Sequence, residues 1–94
     1  MKTIIISDKF YKKLNRQVQY IAKDKPDIAL SFRRNILLEI KIIPTRIWSY
    51  KKSEFFDDVN IREVIYKGYR IVFEITPENI LVFGFHKWEN SLEP

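Results

Sequence analysis

Two side chains in the last third of the sequence could take part in phosphodiester chemistry: Arg70 and the single histidine, His86. A guanidinium can hold a phosphate through two parallel hydrogen bonds and stabilise the charge that develops during ester cleavage. An imidazole, with an unperturbed pKa of about 6.5, can act as a general acid or base at neutral pH. Both also have structural alternatives. Arg70 can form a cross-strand ion pair with Glu63 or Glu74, and His86 can be a surface residue at a strand end.

The segment from Ile61 to His86 predicts the scaffold that positions these side chains, a three-strand antiparallel meander. The dipeptide Lys67-Gly68 forms the first turn, where glycine supplies a positive φ. Residues 77–79 form the second turn, where Asn79 is expected in the left-handed region.

The two-residue turn pairs Tyr66 with Tyr69, and the alternation of side chains then gives the meander two faces. The apolar face should carry the helices, and its members in the first two strands are Val64, Tyr66, Tyr69, Ile71, Phe73 and Ile75. The opposite face, predicted to be half open to solvent, holds Glu63, Ile65, Arg70, Val72 and Glu74.

The same alternation assigns the side chains of the third strand of the meander to the two faces. Its more apolar set is Leu81, Phe83 and Phe85, which we expect to face the helices. His86 then lies beside Arg70 on the open face. The other set also contains apolar residues, Ile80 and Val82, so the opposite assignment stays open.

The first half of the chain predicts one strand and two helices. Thr3–Ile6 reads as a short strand, and Ser7 or Asp8 can cap the helix that follows. Pro26 suits the first turn of a second helix, which runs to about Ile43 and is stopped by the next residue, a proline. Since the break between the helices is short, they should form an antiparallel hairpin.

The fold class is therefore α+β, with a helical hairpin packed on one face of an antiparallel sheet. Residues 45–60 are predicted to form a loop with a short strand or helical turn, and connections of this length are often functional. The last eight residues read as a polar tail.

Composition limits the classes of function. The 94 residues make one domain, 1–94, and the absence of cysteine excludes disulfides, thiol catalysis and cysteine-ligated zinc. With one histidine and no phosphate-cradling glycine loop, neither a metal nor a cofactor is expected. Neither a signal sequence nor a membrane-spanning run is recognisable, so a cytoplasmic protein is expected.

The net charge of +5 favours an acidic partner, either nucleic acid or an acidic protein. The dipeptide Lys51-Lys52 lies beside Trp48 and Tyr50 and makes a weak candidate nucleic-acid surface. Arg62 is a third candidate there, although it is expected to extend to solvent or pair with an acid. The Lys12, Lys13 and Arg16 cluster is interpreted as a solvated helix face.

The sequence resembles the RelE/ParE superfamily of toxins from bacterial type II toxin–antitoxin modules, and most closely its ParE-like branch. The resemblance covers nearly the whole chain. It is carried by Tyr20–Ala22, Pro26–Ala29, Pro44, Ile61–Val64, Gly68–Phe73 and His86.

The resemblance implies a β-α-α-β-β-β fold, a cognate antitoxin bound in a hetero-oligomer, and inhibition of growth by the free toxin. RelE-like members cleave mRNA on the ribosome, and ParE-like members poison DNA gyrase. The superfamily arginine after Gly-Tyr corresponds to Arg70, and the late histidine corresponds to His86. In a ribonuclease, Arg70 would stabilise phosphate charge, His86 would transfer a proton, and Glu63 would be a possible base.

Two positions depart from the superfamily pattern. Glu63 stands where RelE-type chains carry a lysine, and a glutamate repels phosphate. Lys87-Trp88-Glu89 stands where many ParE-like chains have a Gly-Arg-Arg-like stretch. The alternative function is a non-catalytic or degenerate toxin-fold domain that binds RNA or a protein partner.

Overall fold

A computed structural model describes residues 1–87. Of the tail predicted for residues 87–94, Lys87 belongs to the last described strand instead, and the remainder lies outside the described residues. The elements are β1 (Thr3–Ile6), α1 (Asp8–Ala22), α2 (Pro26–Lys41), a 3₁₀ segment (Ile43–Ser49), β2 (Lys51–Lys52), β3 (Ile61–Tyr66), β4 (Tyr69–Ile75) and β5 (Asn79–Lys87). None of the helices within residues 1–87 combines the length and apolar character needed to cross a bilayer.

The five strands form one sheet in the order β1-β5-β4-β3-β2. All neighbours are antiparallel except β1 and β5, which are parallel. The helices α1 and α2 pack against each other, and α1 packs on β5. The predicted α+β class is confirmed. The region 45–60, predicted to hold a short strand or a helical turn, contains part of the 3₁₀ segment and the short strand β2.

Local signals set the helix ends. The Oγ of Ser7 accepts a hydrogen bond from the backbone N–H of Phe10 at 3.1 Å, so Ser7 caps α1. Pro26 begins α2 as predicted. This helix ends at Lys41, slightly before the predicted Ile43, and after Ile42 the chain continues into the 3₁₀ segment that contains Pro44.

The hairpin between β3 and β4 follows the predicted register. Lys67 (φ 47°) and Gly68 (φ 85°) both adopt positive φ, and Tyr66 pairs with Tyr69. The second turn differs from the prediction, because Asn79 does not have a positive φ. Instead, its backbone N–H donates to the Oγ1 of Thr76 at 2.9 Å, and its carbonyl accepts from the Thr76 N–H at 2.9 Å.

A β-bulge in β5 changes which of its side chains face the helices. Phe73 pairs with Val82 and Val72 pairs with Gly84, so Phe83 has no residue opposite it. The extra residue inverts the alternation. The prediction for β5 was therefore wrong for Leu81 and Phe83, whose places in the core are taken by Ile80 and Val82, and right for Phe85.

The core lies between the helices and the apolar face of the sheet. Its fully buried side chains include Phe10 and Leu14 of α1, Ile36 and Ile40 of α2, Ile71 and Phe73 of β4, and Ile80 and Val82 of β5. Beyond the bulge, His86 pairs with Arg70 across β4 and β5. The two residues singled out from the sequence thus lie side by side, as predicted.

Candidate functional site

The sheet face that carries Arg70 is closed around this residue, although it was predicted to be half open. Glu63 is 1% exposed, Arg70 is 7% exposed and Val72 is fully buried. The chain that follows β2, from Ser53 to Phe55, folds back over this face and contacts both charged groups. Alternation along the strands could not reveal this cover, because the covering segment belongs to an irregular connection.

On that face Arg70 contacts two carboxylates and an aromatic ring. Its NH1 lies 3.3 Å from Oε1 of Glu63 and 3.2 Å from Oε1 of Glu54. Its guanidinium carbon lies 5.2 Å from the ring centroid of Phe55, which is within the range of a cation–π contact. Of the two ion pairs anticipated from the sequence, the diagonal pair with Glu63 is the one that forms. Glu74 makes no ion pair within residues 1–87.

Glu63 is held from a second side by the covering segment. Its Oε2 accepts hydrogen bonds from the Oγ of Ser53 at 2.8 Å and from the backbone N–H of Glu54 at 3.3 Å. Glu54 also contacts the Nζ of Lys51 at 2.9 Å. Hydrogen bonds from Lys51, and then from Arg70, lower the pKa of Glu54 below its ordinary value. Both oxygens of the buried Glu63 carboxylate are therefore bound, one to Arg70 and the other to Ser53 and Glu54.

His86 is the more accessible member of the predicted site. Its ring centroid lies 5.4 Å from that of Phe55. Partial burial, followed by the positive charge of Lys13, lowers the pKa of His86 below 6.5. Arg70 and Lys9 act in the same direction, and Glu63 acts against them. The imidazole is therefore mainly neutral at pH 7 and suited to accept a proton rather than to donate one.

The cations of the predicted nucleic-acid surface around β2 already have partners within the fold. Lys51 contacts Glu54, and Lys52 contacts Asp57 at 3.3 Å. Arg62 donates from NH1 to the carbonyl of Tyr50 at 2.9 Å and stacks over the Trp48 ring. These three cations thus have partners in the fold, and their role in binding nucleic acid stays a prediction. Arg62 was expected to extend to solvent or pair with an acid, but it contacts a backbone carbonyl and an aromatic ring instead.

A basic set that the sequence reading missed lies on the other side of His86. Lys9, Lys13 and Arg16 of α1 line two adjoining cavities that share Lys13 and His86. Their spacing of four and three residues puts them on one helix face. This spacing is visible in the sequence and indicates a shared basic face. The sequence-based prediction instead grouped Lys12 with Lys13 and Arg16 and interpreted all three as a solvated helix face. In residues 1–87, no group of three or more acidic or histidine side chains could hold a metal ion.

Comparisons with known proteins identify the fold. No family model matches the sequence, and no curated protein matches it significantly. Among solved structures, a chain of the "Chromosomal ParDE TA system from P. aeruginosa" aligns with a TM-score of 0.79 at 13% identity. The alignment covers 95% of this chain and 98% of that one. The chain therefore has the RelE/ParE-like fold that the sequence resemblance predicted.

Proposed function

We propose that this protein is the toxin of a type II toxin–antitoxin module, of the ParE-like kind. Two observations support the proposal together: the shared fold with a chain of a ParDE TA system over 95% of the sequence, and the superfamily-like residues Gly68–Phe73 and His86. On this proposal the protein acts in the cytoplasm, and a cognate antitoxin binds it in a hetero-oligomer and neutralises it.

Inhibition of DNA gyrase is the mechanism that the geometry favours over mRNA cleavage. The observation that carries this choice is the burial of Arg70 in ion pairs with Glu63 and Glu54. A catalytic arginine must direct its donors at the transferring phosphate. Here substrate would first have to break a buried ion pair, and removing one partner of such a pair costs about 3–5 kcal/mol.

Cleavage of mRNA is the second candidate, because His86 is exposed and its lowered pKa suits a general base. On that reading Arg70 would stabilise phosphate charge. Glu63 is poorly suited as a base, because its carboxylate is buried and accepts hydrogen bonds from Ser53 and Glu54. The third reading, a degenerate domain that only binds RNA or protein, predicts no growth arrest.

The deciding experiment compares growth arrest, gyrase supercoiling and ribosome-dependent mRNA cleavage for the wild type and two variants. A plain Arg70→Ala change would leave the charge of Glu63 buried and unpaired, so its loss of toxicity would not separate catalysis from folding. The double variant Arg70→Met/Glu63→Gln removes both charges and keeps an acceptor for Ser53. His86→Gln tests the imidazole by itself.

We expect growth arrest and gyrase inhibition by the wild type, by the folded double variant and by His86→Gln, without mRNA cleavage. Cleavage by the wild type that disappears in both folded variants would overturn the gyrase mechanism and establish the ribonuclease. Silence of the folded wild-type protein in all three assays would overturn the toxin proposal and favour the binding domain. Circular dichroism of each protein provides the control for folding.

A further inference from the structure

A groove runs between α1 and the C-terminal half of β5. β1 pairs with β5 only as far as Val82, so the edge of β5 beyond that residue is not covered by a strand. α1 packs along β5 here, and two cavities of about 300 and 330 Å³ open between them, joined at Lys13 and His86. Each volume is at the low end for small-ligand pockets and suits one nucleotide at a time.

One wall of the groove is basic. Lys9, Lys13 and Arg16 stand along α1 over about 10 Å, given the helical rise of about 1.5 Å per residue, and Lys87 closes one end. None of these four side chains makes an ion pair with a residue in the described range 1–87. Both cavities lack acidic residues among those that line them. This separates the groove from β2, where the lysines are neutralised by neighbouring acids.

The other wall is aromatic. Phe55 is 57% exposed and Phe56 is 41% exposed, and both line the cavity next to Lys9 and Lys13. The Phe56 ring packs edge-on against Phe83, the bulged residue of β5, with centroids 5.7 Å apart. The bulge thus directs an additional aromatic ring to this side of the sheet. Exposed rings beside unpaired cations form the combination by which proteins bind single strands, through base stacking and phosphate contacts.

We propose that this groove binds single-stranded nucleic acid, with Lys9, Lys13 and Arg16 on successive phosphates and Phe55 and Phe56 stacking on bases. Because His86 lines the groove, the groove would also hold the substrate if the second candidate, mRNA cleavage, is correct. Binding itself depends neither on cleavage nor on gyrase inhibition, and the anisotropy test measures it separately from both. The aromatic wall favours a nucleic acid over an acidic peptide, because a peptide carboxylate would use the cations and leave the rings exposed. RNA and DNA share the chemistry that the groove recognises.

The test is fluorescence anisotropy of purified full-length protein with labelled 12-nucleotide oligo-U and oligo-dT over a series of salt concentrations. For Lys9→Ala/Lys13→Ala/Arg16→Ala we expect a loss of affinity of about 100-fold near 0.1 M salt. The slope of log K against log salt should fall by about 2, at about 0.7 per lost phosphate contact on a single strand. The matched control Lys12→Ala/Lys23→Ala/Lys25→Ala removes the same charge elsewhere and should bind nearly as the wild type does.

Stacking is tested separately by Phe56→Ala, with Tyr20→Ala, an exposed aromatic outside the groove, as its control. A stacked base is worth about 1–3 kcal/mol, so Phe56→Ala should weaken binding about 5- to 150-fold without changing the salt slope. Comparison of the affinities for oligo-U and oligo-dT shows whether the groove prefers RNA or DNA. Equal losses in the two triple variants, no binding to either oligonucleotide at low salt, or tighter binding of a poly-glutamate peptide than of both would each overturn the proposal.

Discussion

Arg70 and Glu63 contribute to the stability of the fold as a pair, because each charge is buried against the other. Both side chains are almost fully buried, and Ser53 and Glu54 engage the second oxygen of Glu63. We expect Arg70→Ala to lower the free energy of unfolding by about 3–5 kcal/mol, a large share of the roughly 5–14 kcal/mol typical of this chain length. Arg70→Met/Glu63→Gln should lose about half of that or less, because no unpaired charge remains. Urea denaturation measures both, and equal losses would show that packing rather than charge pairing dominates.

His86 makes the stability of the fold depend on pH. Its pKa in the folded protein is below 6.5, because of partial burial and the charges of Lys13, Arg70 and Lys9, against which Glu63 acts. Below about pH 6.5 the unfolded state therefore binds more protons than the folded state, and stability falls as the pH is lowered through that value. NMR titration of the imidazole should give a pKa under 6.5 that rises in Lys13→Ala. A pKa unchanged by this substitution would contradict the contribution of α1.

At the scale of elements, the bulge in β5 depends on the small residue next to it. A Cβ added to Gly84 would lie 2.9 Å from the Cβ of Val72, which is fully buried and cannot move freely. We expect Gly84→Ala to destabilise the protein by about 1–3 kcal/mol through overpacking. Thermal unfolding measures the loss. Val72→Gly provides the control, because only glycine removes the opposing Cβ: Gly84→Ala should cost clearly less in the Val72→Gly background than in the wild type. If Gly84→Ala costs the same in both backgrounds, the steric explanation is wrong.

Sequence reasoning predicted the elements whose signals are local. The turn at Lys67-Gly68 fixed the register of β3 and β4, and Pro26 marked the start of α2. The bulge at Phe83 was missed because Ile80 and Val82 are as apolar as Leu81 and Phe83, so alternation alone cannot choose between them. The adjacency of Arg70 and His86 was predicted correctly, since the inversion occurs before His86.

Contacts between distant parts of the chain could not be predicted from the sequence. The cover over Arg70 comes from residues 53–55, in an irregular segment with no periodicity to interpret. The basic groove combines α1 with β5, at opposite ends of the chain. Such contacts depend on how finished elements dock, and a single sequence carries no direct signal for them. The sequence therefore predicted nucleic-acid-binding cations at β2, where the lysines are paired with acids, and not on α1.

The pairing of β1 with β5 joins two segments that lie far apart in the sequence. β1 pairs in parallel with the first half of β5, and the Nζ of Lys2 donates to the carbonyls of Thr76 and Pro77 at 2.8 and 2.7 Å. Deleting residues 1–6 would expose the whole edge of β5, and uncovered strand edges pair with other chains. We expect this deletion to abolish cooperative unfolding and to cause aggregation, measured by thermal scans and size-exclusion chromatography. Lys2→Ala, which removes only the side-chain hydrogen bonds, should remain monomeric and cooperative. If the deletion variant unfolds cooperatively as a monomer, β1 is dispensable and α1 and α2 suffice to hold β5 in the sheet.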